Sequence, residues 1–217
     1  MSIKKLASIV LAFATLALSS ALAIATPLMT LTLDDHQGHT VVINDGGLGF
    51  INFTGSIGNW VYNNATGFSN LGDYPAPPTL DLNSIDVSSS GGGWLTITLA
   101  QSGLAFPNAP GLSALSQVGG VTAGTVSFTS LFNGSILGSP FGPYTGAFSG
   151  TTSGAIDTTG GFSLTQIADI HHTGTGNTSF NIITSVPEPA TLGLLGLGFI
   201  GIGLARRKTA RKQMANA

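Results

Sequence analysis

The stretch "WLTITLA", Trp94–Ala100, decides the class of fold. Leu95, Ile97 and Leu99 alternate with Thr96 and Thr98, a period of two that puts aliphatic side chains on one face of a strand and hydroxyls on the other. The pattern recurs outward from there. Met29, Leu31 and Leu33 alternate with Thr30 and Thr32, and Val126 and Phe128 alternate with Thr125, Ser127 and Thr129. In "LDLNSIDV", Leu80 and Leu82 share one parity while Ile85 and Val87 share the other, so a bulge near Asn83-Ser84 is expected to restore register. "FSLTQI" has the same shift between Leu164 and Ile167. "VVINDGGLGFINF" sets Asn44-Asp45-Gly46-Gly47 between two apolar runs, which predicts a hairpin. One short helix is expected in "GLSALSQV", Gly111–Val118, bounded by Pro107 and Pro110.

About ten short strands with Gly-, Ser- and Asn-rich turns predict an all-β domain, an antiparallel β-sandwich or jelly roll, over residues 26–186. The regular alternation argues against the runner-up, low-complexity disorder. A domain of that length can bury a proper core. The 217-residue chain has no Cys, so the core relies on packing and strand pairing without disulfides.

Charge is sparse and unevenly placed. Only 7% of residues are charged, and no Lys or Arg lies between Leu6 and Ala205. That interval holds eight Asp and Glu188. A body without a cation cannot neutralise phosphates, which excludes nucleic acid as a partner.

The two ends read as addresses. Residues 1–25 combine Lys4 and Lys5, an apolar run and the small-x-small end Ala21-Leu22-Ala23, the pattern of a signal peptide cut by signal peptidase. At the other end, Ala190–Ala205 is uncharged and is followed by a basic cluster over 206–212. Sixteen residues make a short transmembrane helix, with the cluster on the cytoplasmic side. "GLGFIG" (196–201) fits the dinucleotide-binding G-x-G-x-x-G pattern. It lies inside that Gly-rich span, with no acidic residue after Glu188, so the match follows from composition.

Residues 187–212 resemble the PEP-CTERM sorting signal: the tripeptide Pro187-Glu188-Pro189, a short Gly/Leu-rich apolar segment, then Arg206-Arg207-Lys208. The resemblance implies an exported protein of a Gram-negative bacterium, held transiently in the inner membrane and processed by an exosortase near the tripeptide. It also implies release to the cell surface or an exopolysaccharide (biofilm) matrix. The alternative is a permanent single-span anchor. The body is similar, in "GSIGNWVYNNATGFS", "LDLNSIDVSSSGGGWLTITL" and "FSLTQIADIHHTGTGNTSF", to ectodomains found ahead of this signal, and that likeness supplies no catalytic residue.

Few residues suggest chemistry. "DDHQGH" gathers Asp34, Asp35, His36 and His39, which can hold a metal only if the side chains converge with a ligand such as His171 or His172. A solvated turn is the simpler expectation. "DLNSID" (Asp81, Asn83, Asp86) is the nearest approach to a Ca²⁺ loop, without its D-x-D-x-D-G spacing. No G-x-S-x-G elbow occurs, and no pair of carboxylates is marked as acid and base, so an enzyme is not expected. Trp60 and Trp94 are the candidate stacking faces for a sugar. The sequence thus predicts a non-catalytic structural or adhesive matrix protein without cofactor. The alternatives are a carbohydrate- or calcium-binding module and, more remotely, a glycoside hydrolase.

Overall fold

The computed structural model describes residues 28–70, 77–108 and 111–187. The signal peptide, the span at 190–205 and the basic cluster lie outside these. Eleven strands, all in antiparallel pairs, are joined into one sheet with no helix among the described residues. They are β1 (Leu28–Asp34), β2 (Thr40–Asn44), β3 (Phe50–Ile57), β4 (Trp60–Ser69), β5 (Thr79–Ser89), β6 (Gly93–Leu104), β7 (Ser113–Phe132), β8 (Ser135–Ile136), β9 (Phe141–Ala155), β10 (Phe162–His172) and β11 (Gly176–Ser185). Nine follow the path β2-β1-β6-β10-β7-β11-β5-β4-β3, and β8 and β9 pair with β7. The class is as the sequence predicts. The fold is sandwich-like, but its two facing halves are joined into one curled sheet, nearly a barrel, whose end strands β2 and β3 touch without pairing.

The curl is built at β7. Its first half pairs with β11 (Leu115–Thr122) and its second with β10 (Thr125–Phe132), while β9 runs along the opposite edge. β10 and β11 therefore follow one another along a single edge of β7, stepping over at Thr173–Thr175. Gly124 sits opposite that step. A Cβ there would collide with the His171 carbonyl oxygen, so the strands approach as closely as they do because the residue is glycine.

The core is what alternation requires. Leu31 and Leu33 of β1, Leu95, Ile97 and Leu99 of β6, and Val126 and Phe128 of β7 are buried. The bulge in β5 is also where the sequence places it. Phe180 faces Ile85 and Ile182 faces Leu82, so β5 has one residue more than β11 at Asn83-Ser84. Ser84 takes φ 52°, and its N–H donates to the Asn181 Oδ1.

Three expectations fail, two of them because polar side chains are buried with partners. Residues 113–118 open β7 rather than forming a helix: Leu112, Ala114, Ser116 and Val118 all face inward. The Ser116 hydroxyl bonds Ser130 and Thr184, which conceals the strand period in the sequence. In β10 no shift occurs between Leu164 and Ile167. Gln166 is the inward residue, its amide donating to the Leu80 carbonyl and Thr184 hydroxyl and accepting from the Leu82 N–H. The extra residue in that ladder lies in β6, opposite Phe162–Leu164.

The third is the hairpin at Asn44–Gly47. The chain does turn there, but β2 and β3 belong to opposite ends of the sheet path. The Asp45 carboxylate organises the crossing by accepting the Met29, Gly47 and Gly49 N–H groups.

Candidate functional site

The turn between β1 and β2 is built around a buried carboxylate. Asp35 is 2% exposed, and its Oδ1 accepts the N–H groups of Gln37 (2.8 Å) and His39 (3.1 Å). Its Oδ2 meets the His39 Nδ1 at 2.7 Å. Burial pushes the Asp35 pKa up, but the Gln37 N–H and the bonds from His39 outweigh it and hold the carboxyl below the usual carboxylate value. Asp34 accepts the His36 N–H.

The side chains of Asp34, Asp35 and His39 in "DDHQGH" are thus occupied in shaping their own turn. Among the described residues no three His, Asp or Glu side chains form a group able to hold a metal. Asp81, Asn83 and Asp86 do not form a loop either: Asn83 donates to Asp81, while Asp86 accepts from Asn63 and Asn177. Burial raises the Asp81 pKa.

From this turn the His36 ring reaches the outer face of the sheet, where its Nε2 lies 2.9 Å from the Thr96 Oγ1. Thr96 donates its single proton to the Asp169 carboxylate at 2.6 Å, so His36 is the donor to Thr96. Asp34, Thr96 and Asp169 face one another across β1, β6 and β10. Two residues along the same face is Trp94, 51% exposed and stacked on His171 with ring centroids 4.4 Å apart and planes at 28°. This arrangement presents an indole braced by an imidazole, beside a chain of polar groups.

Trp60 has the other fate. It is 1% exposed and packs against His172 at 4.9 Å, so of the two tryptophans only Trp94 offers a face to solvent.

His172 is the functional-looking residue that sequence reasoning undervalued. Counting by two from the apolar Ile170 places it inward, and its hydrogen bonds have one possible direction. Ser89 donates to the Gly174 carbonyl (2.8 Å), so the His172 Nδ1–H must donate to the Ser89 Oγ (2.8 Å). The Nε2 is then an acceptor, filled by Thr178 at 2.8 Å. Thr178 accepts from Thr122, and Thr122 accepts from the Gly124 N–H. This relay staples the step at Thr173–Thr175. Burial lowers the His172 pKa, and the charge of His171 adds to the effect.

A cleft at the same end of the molecule is lined by Asp35, Gln37, Asn59, Trp60 and Gly91–Gly93.

The comparisons with known proteins address the tail. Residues 185–208 match the PEP-CTERM protein-sorting motif, so the chain carries this signal. Of its site residues, Pro187 ends the described region just after β11, and Glu188, Pro189, Arg206, Arg207 and Lys208 lie outside it. The motif implies processing by an exosortase and is consistent with export and a membrane-anchored C-terminus before that step.

No curated protein matches the chain. Among solved structures, a β-glucosidase from Kluyveromyces marxianus in complex with glucose is similar over 70% of this chain, at 6% identity and a TM-score of 0.30. The chain spans 15% of that protein's length. A family 35 carbohydrate binding module from an environmental isolate is similar at 15% identity and a TM-score of 0.26, covering 65% of this chain and 93% of that one. The mannan-recognising module TmCBM27 is similar at 12% identity and a TM-score of 0.27, covering 64% and 99%.

Proposed function

We propose that this is a non-catalytic adhesive domain, exported through its sorting signal to the surface or the extracellular matrix, where it grips exopolysaccharide. The observation that carries this reading is the half-exposed Trp94 indole stacked on His171. An indole face covers the C–H face of a pyranose, and the ring beneath fixes its orientation in advance, so less freedom is lost on binding. Thr96, Asp169 and His36, on or against the same face, supply donors and acceptors for sugar hydroxyls. Uncharged or amino sugars suit the site better than uronic acids, because the body has no Lys or Arg to meet a carboxylate.

The test is affinity electrophoresis of the exported domain through gels containing the host's own polysaccharide. Retardation that Trp94→Ala abolishes, with the fold intact, supports the proposal. Equal mobility with and without polysaccharide overturns it.

A further inference from the structure

β9 is the most exposed long strand of the molecule. Its fifteen residues hold no charge, and among the described residues only β7 pairs with it. Ten of them, Gly146–Ala155, run in unbroken register along Ser113–Thr122 of β7. The inner row is packed: Phe148 stacks on Tyr144 at 5.1 Å and touches Phe128. The outer row, with Ala147, Ser149, Thr151 and Ser153, is exposed and small. Leu137–Ser139 packs against the strand at Thr152–Gly154, where the Ser139 N–H donates to the Thr152 Oγ1. From Gly146 to Thr151 the far edge presents backbone N–H and C=O groups without a strand partner, flanked by small side chains. Folded proteins usually close such an edge with Lys, Pro or a bulge. Gly146–Ala155 contains none of these.

We propose that this edge is a self-association surface, on which β9 of a second copy of the chain pairs antiparallel to form one continuous sheet across two molecules. Charge placement selects a second copy as the occupant. Every charge on the described residues is an Asp, so two copies repel over most approaches. No charged residue lies between Asp86 and Asp157, and β9 is the exposed edge within that interval. The other open edges are less suited, since β2 and β3 are five and eight residues long and flank Asp34, Asp35 and Asp45. A two-fold axis normal to the sheet keeps the small outer row opposite its own copy, giving a closed isologous contact. This inference is independent of the sugar-binding reading, because the Trp94 face lies on β6.

The absence of cysteine makes the test clean. Facing residues on antiparallel strands lie about 5 Å apart at Cα, within disulfide reach. The full chain, expressed and exported in its host, carries Ser149→Cys, Thr151→Cys, or the two co-expressed. Val42→Cys on β2, at 58% exposure, is the collision control. A disulfide-linked dimer is expected from at least one of the β9 arms and not from the control.

Adding Ala147→Lys and Ser153→Lys is expected to cut the dimer about tenfold through like-charge opposition. Resistance to thermolysin should stay at the parent's level, since both side chains face solvent. No dimer in any β9 arm, an equal band from Val42→Cys, or a band indifferent to the lysines would each overturn the proposal.

Discussion

Two neighbouring histidines on β10 each pack against a tryptophan, one tilted at 45° and one stacked at 28°, and the two contacts have opposite consequences. His172 faces inward against Trp60 and is held by Ser89 and Thr178, while His171 faces outward against Trp94, with its partner half in water. One residue of strand parity separates a structural staple from an exposed aromatic face. Composition alone cannot tell the two pairs apart.

The most damaging way to break the comparison is Trp60→Ala. Removing a fully buried indole costs about 3–5 kcal/mol, which chemical denaturation of the exported domain would read as a large drop in midpoint. Asp35→Ala comes next. It leaves the Gln37 and His39 N–H groups without their acceptor, at a cost of about 2 kcal/mol, charge-assisted bonds being the stronger kind. The same denaturation curve measures it.

Acidification probes the inner stack more gently. The His172 pKa is lowered in the fold, so the unfolded chain binds that proton first. Stability is full above the ordinary value of 6.5 and declines as pH falls below it. Asp35, also lowered, withdraws its contribution only below its ordinary value of 3.8. Unfolding free energy should therefore already decline as pH falls below 6.5, before the carboxylates protonate, and His172→Gln should erase that early part of the decline. The smallest expected effect on stability is that of Trp94→Ala, within about 0.5 kcal/mol, although it should remove polysaccharide retention entirely. A large stability loss from Trp94→Ala would mean that the outer stack is structural too.

The strands were legible where apolar and hydroxyl residues alternate, as in Trp94–Ala100, and the β5 bulge was legible because two apolar pairs changed parity around Asn83-Ser84. Legibility ended where the core accepts a polar side chain. Ser116, Gln166 and His172 each interrupt the apolar period, and each has a partner on a distant strand, 68, 86 and 83 positions away in the chain. No local pattern announces such partners. The Asp45 turn failed for a related reason: its chemistry is local and was visible, but which strands it joins depends on the whole sheet. At the candidate site, the cluster Asp34–His39 was conspicuous because it is dense, yet Asp34, Asp35 and His39 are spent on the turn itself and only the His36 ring reaches out of it. Trp94 was visible as a residue, and its exposure followed from its sharing a face with Thr96 and Thr98.

β11 ends at Ser185, two residues before the sorting tripeptide, and it lies between β5 and β7 with ladders on both sides. A tether at this end pulls the strand along its own axis. Tension would then shear two ladders at once instead of peeling one bond after another, so the domain resists drag in its hardest direction. On the proposed reading, with the C-terminus tethered before processing and the outer face holding a polymer, this is a mechanical anchor placed where the strain enters.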